Sequence, residues 1–209
     1  MYNVKELNSF KRTSWLFFNW SRSLTMVRKG IFAIGIACLT ALSAHLKVSL
    51  PWTPVPITSQ TFFVLLAGVL LGRNWGGISQ IIYVGIGMLG FGWFAGGSIF
   101  GPTGGYLIGF ILSAFFLGYA VDKYLYSRKF LSILLLMSFA GFFLIYIPGL
   151  IQLGFYLYLI KGSFPGFATL LTMGLFPFIP GDLIKITLAA AVVSAIIPRK
   201  TDPSDQLIG

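Results

Sequence analysis

Charge is almost absent from six long stretches of this chain, and nothing constrains its fold more. The apolar runs cover residues 30 to 46, 58 to 72, 76 to 94, 104 to 121, 130 to 150 and 176 to 197. A bilayer core about 30 Å thick needs roughly 20 apolar residues per helix, so each run reads as one crossing. Backbone polar groups in lipid must be satisfied within the spanning element, which makes helices the unit. With 209 residues, 56% of them hydrophobic and 10% charged, and a mean hydropathy of +0.87, little chain remains for a soluble domain. The expected fold is an all-α polytopic membrane protein of six transmembrane helices. Residues 1–29 form a basic and aromatic arm, 30–197 the membrane domain and 198–209 a short tail.

The net charge of +10 is an orientation signal rather than a nucleic-acid footprint, because the basic residues collect on one side. Lys5, Lys11, Arg12, Arg22, Arg28 and Lys29 precede the first run, and Arg73 follows the second. Lys123, Arg128 and Lys129 follow the fourth, and Arg199 and Lys200 follow the last. Lys47 and Lys161 fall on the opposite side. Both termini are therefore expected in the cytoplasm, with no nucleic acid as partner. The arm carries an aromatic patch from Trp15 to Trp20, which suits the membrane interface. One cysteine, Cys38, excludes an internal disulfide, and no metal site or cofactor is expected. Pro148-Gly149, Gly162, Pro165-Gly166 and Pro180-Gly181 predict kinked or re-entrant backbone between residues 131 and 181.

Against this background Asp182 and Lys185 stand out, opening the last apolar run in Pro177-Phe-Ile-Pro-Gly-Asp-Leu-Ile-Lys185. Ionisable residues at membrane depth pair, face the protein interior and mark substrate paths. At a spacing of three they share a helix face. From Asp182 to Ile197 is about 24 Å of helix, which places the pair near the outer boundary. Pro180 suits the first helical turn, and exposed N–H groups there favour an acid. A carboxylate accepts and an ammonium donates, so the pair matches a small ligand with N–H donors beside a carbonyl, as in a cyclic urea. The plainer reading is a capping Asp182 with a snorkelling Lys185. The loop from Pro51 to Thr61, stiffened by three prolines, reads as a lid or rim. The loop from Gly92 to Tyr106 mixes aromatics with glycines on the same side.

Three stretches carry a resemblance: Thr53-Pro-Val-Pro-Ile-Thr-Ser-Gln-Thr61 with Leu65 to Gly72, Gly101-Pro-Thr-Gly-Gly-Tyr106 to Phe110, and Pro177 to Lys185. In that order they resemble the BioY biotin transporters, the substrate-binding S components of energy-coupling factor (ECF) transporters, over residues 30 to 197. The resemblance implies a compact six-helix bundle that binds biotin near its outer face, with Asp182 and Lys185 on the ureido ring. The candidate ligand contacts are Asp182, Lys185, Gln60, Tyr83, Phe94, Gly97, Ser98 and Tyr106. The loop matching Phe94 to Ser98 is several residues shorter than the family's glycine-rich version. The anchor for the biotin carboxylate is left among Gly97, Ser98, Lys47 and Lys161.

Ala33, Ala37 and Ala41 recur every four residues and form a smooth stripe on the first helix. Internal packing explains such a stripe, and the resemblance implies docking on the ECF transmembrane coupling (T) protein. No Gly-x-x-x-x-Gly-Lys-Ser/Thr loop occurs in the chain, so energy comes from elsewhere or uptake is facilitated, and the resemblance implies a partner ABC-type ATPase pair. The expected role is biotin capture and uptake at a bacterial plasma membrane. The alternatives are an S component for another vitamin, or facilitative uptake by the chain alone. An intramembrane enzyme fits poorly, since the one histidine, His45, sits beside Lys47 and no acids cluster.

Overall fold

A computed structural model describes residues 24–124 and 129–196. The aromatic patch from Trp15 to Trp20, Arg128 and the 198–209 tail lie outside the described residues. Helix α1, Met26–His45, begins inside the expected arm, with Arg28 and Lys29 in its first turns. A two-residue ladder follows, β1 (Lys47–Val48) pairing antiparallel with β2 (Ile57–Thr58). It closes the proline-rich segment into a flap. Thr53 ties the flap down, its hydroxyl donating to the Met173 carbonyl at 2.6 Å.

Helix α2, Gln60–Met88, is two arms that double back at Gly72. The φ of 78° there lies in the left-handed region that glycine occupies without steric penalty. Gln60 near one end of α2 bonds Tyr83 near the other. In a straight helix they would stand about 34 Å apart. Just past the turn, a Cβ on Gly76 would come within 2.7 Å of Ala67 O, so close approach of the arms needs a bare backbone. The expected runs 58–72 and 76–94 are these arms, the second stopping at Met88 where Leu89 caps it. Asp122 Oδ2, near the end of α3 (Gly104–Lys123), accepts from Arg73 N at 2.9 Å and secures the turn.

Helices α4 (Phe130–Phe139) and α5 (Tyr146–Lys161) are joined by a π-helical segment, Ala140–Ile145. They run on as one rod, so the expected break at Pro148-Gly149 is corrected. A proline lacks a donor and its ring crowds the carbonyl four residues back, here Leu144. Leu144 lies in the π segment, where the backbone no longer follows the regular α-helical bonding to the fourth residue back. The irregular backbone falls later instead. After Gly162 come the short α6 (Phe167–Gly174) and a turn into α7 (Ile179–Ile196), with Pro180 in its first turn.

By length and composition five helical stretches among the described residues could cross a membrane, α1, α2, α3, α4 to α5, and α7, where α2 is counted once although its two arms fold back on each other. The chain is a multi-pass, all-α membrane protein apart from the two-residue ladder. Its core has two parts. One gathers Tyr83, Phe94, Tyr106, Phe110, Tyr146 and Phe178 near the flap. The other packs Leu65, Val69, Leu117, Val121, Met137, Ile186 and Val193 toward the Gly72 turn. The alanine stripe faces inward in the single chain, as the internal-packing reading expects. Ala33 and Ala37 are 0% exposed and Ala41 is buried, with Ala37 and Ala41 packed in the cluster of Val64, Tyr83 and Val84. Small side chains let α1 approach the α2 arms closely, and that contact consumes the stripe. The outward face of α1 is instead Val27, Ile31, Leu42 and Leu46.

Candidate functional site

The start of α7 delivers the charged pair. The Asp182 amide donates to Phe178 O at 2.9 Å, which sets the first turn, and Lys185 follows one turn on. Lys185 Nζ lies 2.7 Å from Asp182 Oδ1. Asp182 is 3% exposed, while the Lys185 side chain keeps 17% of its surface. The second carboxylate oxygen, Oδ2, accepts from the Tyr146 hydroxyl of α5. A buried carboxylate must be paired and hydrogen-bonded, and here a cation and a phenol from another helix do both.

Tyr146 is held in turn by aromatic neighbours. Its ring meets Tyr106 edge-on at 5.7 Å and 87°, and stacks on Phe142 at 6.0 Å. The Tyr106 hydroxyl donates to Gly174 O at 2.8 Å, linking α3 to the end of α6. Tyr146 and Tyr106 help wall a partly open cleft under the flap. Asp182, Lys185, Tyr146 and Tyr106 line it together with Gln60 and Phe178.

The remaining expected contacts divide into two groups. Tyr83 and Phe94 sit behind the cleft. Gln60 Nε2 donates to the Tyr83 hydroxyl, which donates to Trp93 O at 3.1 Å, and Phe94 packs edge-on against the Tyr83 ring. They position Gln60 and do not line the cleft. Gly97 and Ser98 are exposed in the loop after α2, where Ser98 Oγ accepts from Phe100 N at 3.2 Å. Their neighbour Ala95 does line the cleft, and its carbonyl accepts from Lys47 Nζ at 3.2 Å. Lys161 is exposed at the end of α5.

Tyr146, Phe178 and Thr103 are lining residues that sequence reasoning did not single out. For Tyr146 a signal existed. From Leu131 to Leu150 the only polar side chains are Ser132, Ser138 and Tyr146, so a phenol at that depth asks for a partner. Among the described residues no group of three His, Cys, Asp or Glu side chains could hold a metal ion.

Chemically the site is a donor–acceptor array at the end of an apolar slot. A carboxylate has about four lone-pair positions, and Lys185 and Tyr146 take two of those on Asp182. The rest can accept ligand N–H groups, while the further N–H donors of Lys185 meet a carbonyl.

Comparison with known proteins gives this geometry a family. The sequence model of the BioY family matches residues 13–202. The chain belongs to the BioY family. It is 54% identical over 140 residues to the probable biotin transporter BioY of Methanothermobacter thermautotrophicus, covering 65% of this chain and 89% of that one. It is 37% identical over 172 residues to the biotin transporter BioY of Thermotoga maritima, covering 80% and 92%. The fold is similar to that of a crystallised S component for biotin from an ECF-type ABC transporter. That match has a TM-score of 0.70 and 26% identity, over 82% of this chain and 93% of the other. BioY members are transporters and not enzymes.

Proposed function

We propose that this BioY chain captures biotin as the S component of an ECF-type transporter. The observation that carries the reading is the Asp182–Lys185–Tyr146 network at the head of an aromatic cleft. The ureido ring of biotin offers two N–H donors and one carbonyl, which complements an acceptor beside a donor. Asp182 takes the ring N–H groups and Lys185 the carbonyl. Tyr106, Phe110 and Phe178 cover the apolar thiophane ring, and Gln60 adds a polar contact on the flap side. Tyr83 and Phe94 act through Gln60.

The cleft faces outward across a plasma membrane, with both termini in the cytoplasm, as the distribution of basic residues supports. An ECF coupling protein and an ATPase pair energise uptake, a reading supported by the likeness to the S component of an ECF-type ABC transporter.

Titration of biotin into the purified, detergent-solubilised protein tests the assignment. Asp182→Ala and Lys185→Ala each remove one partner of a buried pair, and both are expected to lose at least about a hundredfold in affinity. Wild-type affinity in either folded variant would sink the ureido assignment. Failure of other vitamins to displace radiolabelled biotin separates biotin from its rivals. Uptake by proteoliposomes that contain this chain alone would replace the energised reading with facilitated transport.

A further inference from the structure

Biotin is a monocarboxylate, so a site that holds it must also answer a negative charge away from the urea ring. Lys185 is the one cation lining the cleft, and its Nζ is engaged by Asp182 at 2.7 Å. Thr58, Ala95 and Thr103 also line the cleft, supplied by the flap and the loop before α3. A cation and an unpartnered hydroxyl each lie against the Ala95–Gly96 stretch. Lys47 is the ladder partner of Thr58 and donates from Nζ to Ala95 O at 3.2 Å. The next residue, Gly96, lies against Thr103, so closely that a Cβ would meet Thr103 Cγ2 at 2.8 Å and Oγ1 nearer still.

Thr103 is 8% exposed, and its buried Oγ1 has no hydrogen-bond partner. It occupies the N-cap position of α3 without capping the helix. A buried hydroxyl without a partner is unfavourable, and structures tolerate one where something else satisfies it. An ammonium carries three N–H donors, of which Ala95 takes one from Lys47. The positive end of α3 adds to the attraction for an anion at the same place.

We propose that Lys47 and Thr103 anchor the ligand's carboxylate along the Ala95–Gly96 edge. The inference rests on the biotin reading above. One carboxylate oxygen accepts from Lys47 Nζ and the other from the Thr103 hydroxyl. This would make the outer strand, and not the glycine-containing loop beyond Ala95, the source of the charge that selects the acid.

Affinities for biotin and for biotin amide, which ends in a neutral carboxamide, decide the matter. They are measured on the purified full chain as wild type, Lys47→Gln, Thr103→Val and Thr103→Ser. The wild type is expected to prefer the acid. Lys47→Gln should lower biotin affinity about tenfold while the amide is unaffected, the size expected for one charge-assisted hydrogen bond. Thr103→Val should weaken the acid more than the amide, with Thr103→Ser restoring it. If Lys47→Gln weakens both ligands equally or neither, Lys47 merely tethers the loop and the proposal fails. Lys47 is exposed, so that variant decides even if Thr103→Val does not fold. A wild type that binds both ligands equally overturns the anchor alone. One that binds neither overturns the biotin assignment beneath it.

Discussion

The two ends of the helix bundle are built from the same helices and opposite chemistry. Toward the flap, α3 contributes Tyr106 and Phe110, and α7 contributes Asp182. Toward the Gly72 turn the same helices supply Leu117 and Val121, then Ile186, Ala189 and Val193. All buried members of that second cluster are aliphatic or methionine. Aromatic residues with hydroxyl tips leave an adaptable, partly polar wall, whereas branched aliphatics pack to a dry filling with no partner to find. The bundle thus separates recognition from stability along its axis. A mutation should affect mainly one or the other, depending on which end it touches.

The largest expected effect lies in the aliphatic end. Leu117→Ala removes a fully buried side chain and should cost about 3 kcal/mol of stability, with biotin affinity of the folded fraction unchanged. A thermal melt in detergent beside a binding titration checks both halves of that statement. Loss of affinity without loss of stability would break the separation. Gly72→Ala comes next. It forces a side chain into the left-handed turn and should destabilise by about 1–3 kcal/mol, visible in the same melt.

Tyr146→Phe probes the other end. It deletes one of the donors on Asp182 with little change in packing, and should weaken biotin binding by about tenfold, roughly 1.4 kcal/mol. A smaller shift in melting temperature should accompany it. The smallest effect is expected from Thr53→Val, which cuts the flap's bond to Met173 and should cost about 1 kcal/mol or less. Faster biotin dissociation in a stopped-flow exchange would show that the flap is what it loosens.

Which of these features could be read in the sequence depends on whether their cause is local. Asp182 and Lys185 are legible because a charge in an apolar run is anomalous by itself. The reversal between the second and third runs is legible because Gly72-Arg73-Asn74 interrupts the apolar pattern. Pro148 misleads, since the π segment that accommodates it shows no residue-level mark. The alanine periodicity identifies a close-packing face but not the element that covers it. Tyr146 acquires its meaning from a carboxylate thirty-six positions away. No window along the chain contains both.

The doubled-back α2 has a consequence for how the protein enters its membrane. Its arms, residues 60–71 and 73–88, are about 18 Å and about 24 Å long, each short of a bilayer core of about 30 Å. Each also carries a polar group, Gln60 and Tyr83, that is costly in lipid on its own. Joined, the two groups satisfy one another across the open mouth of the hairpin, opposite the Gly72 turn. The pair is therefore suited to insertion as one clip, with Gln60 already bonded to Tyr83.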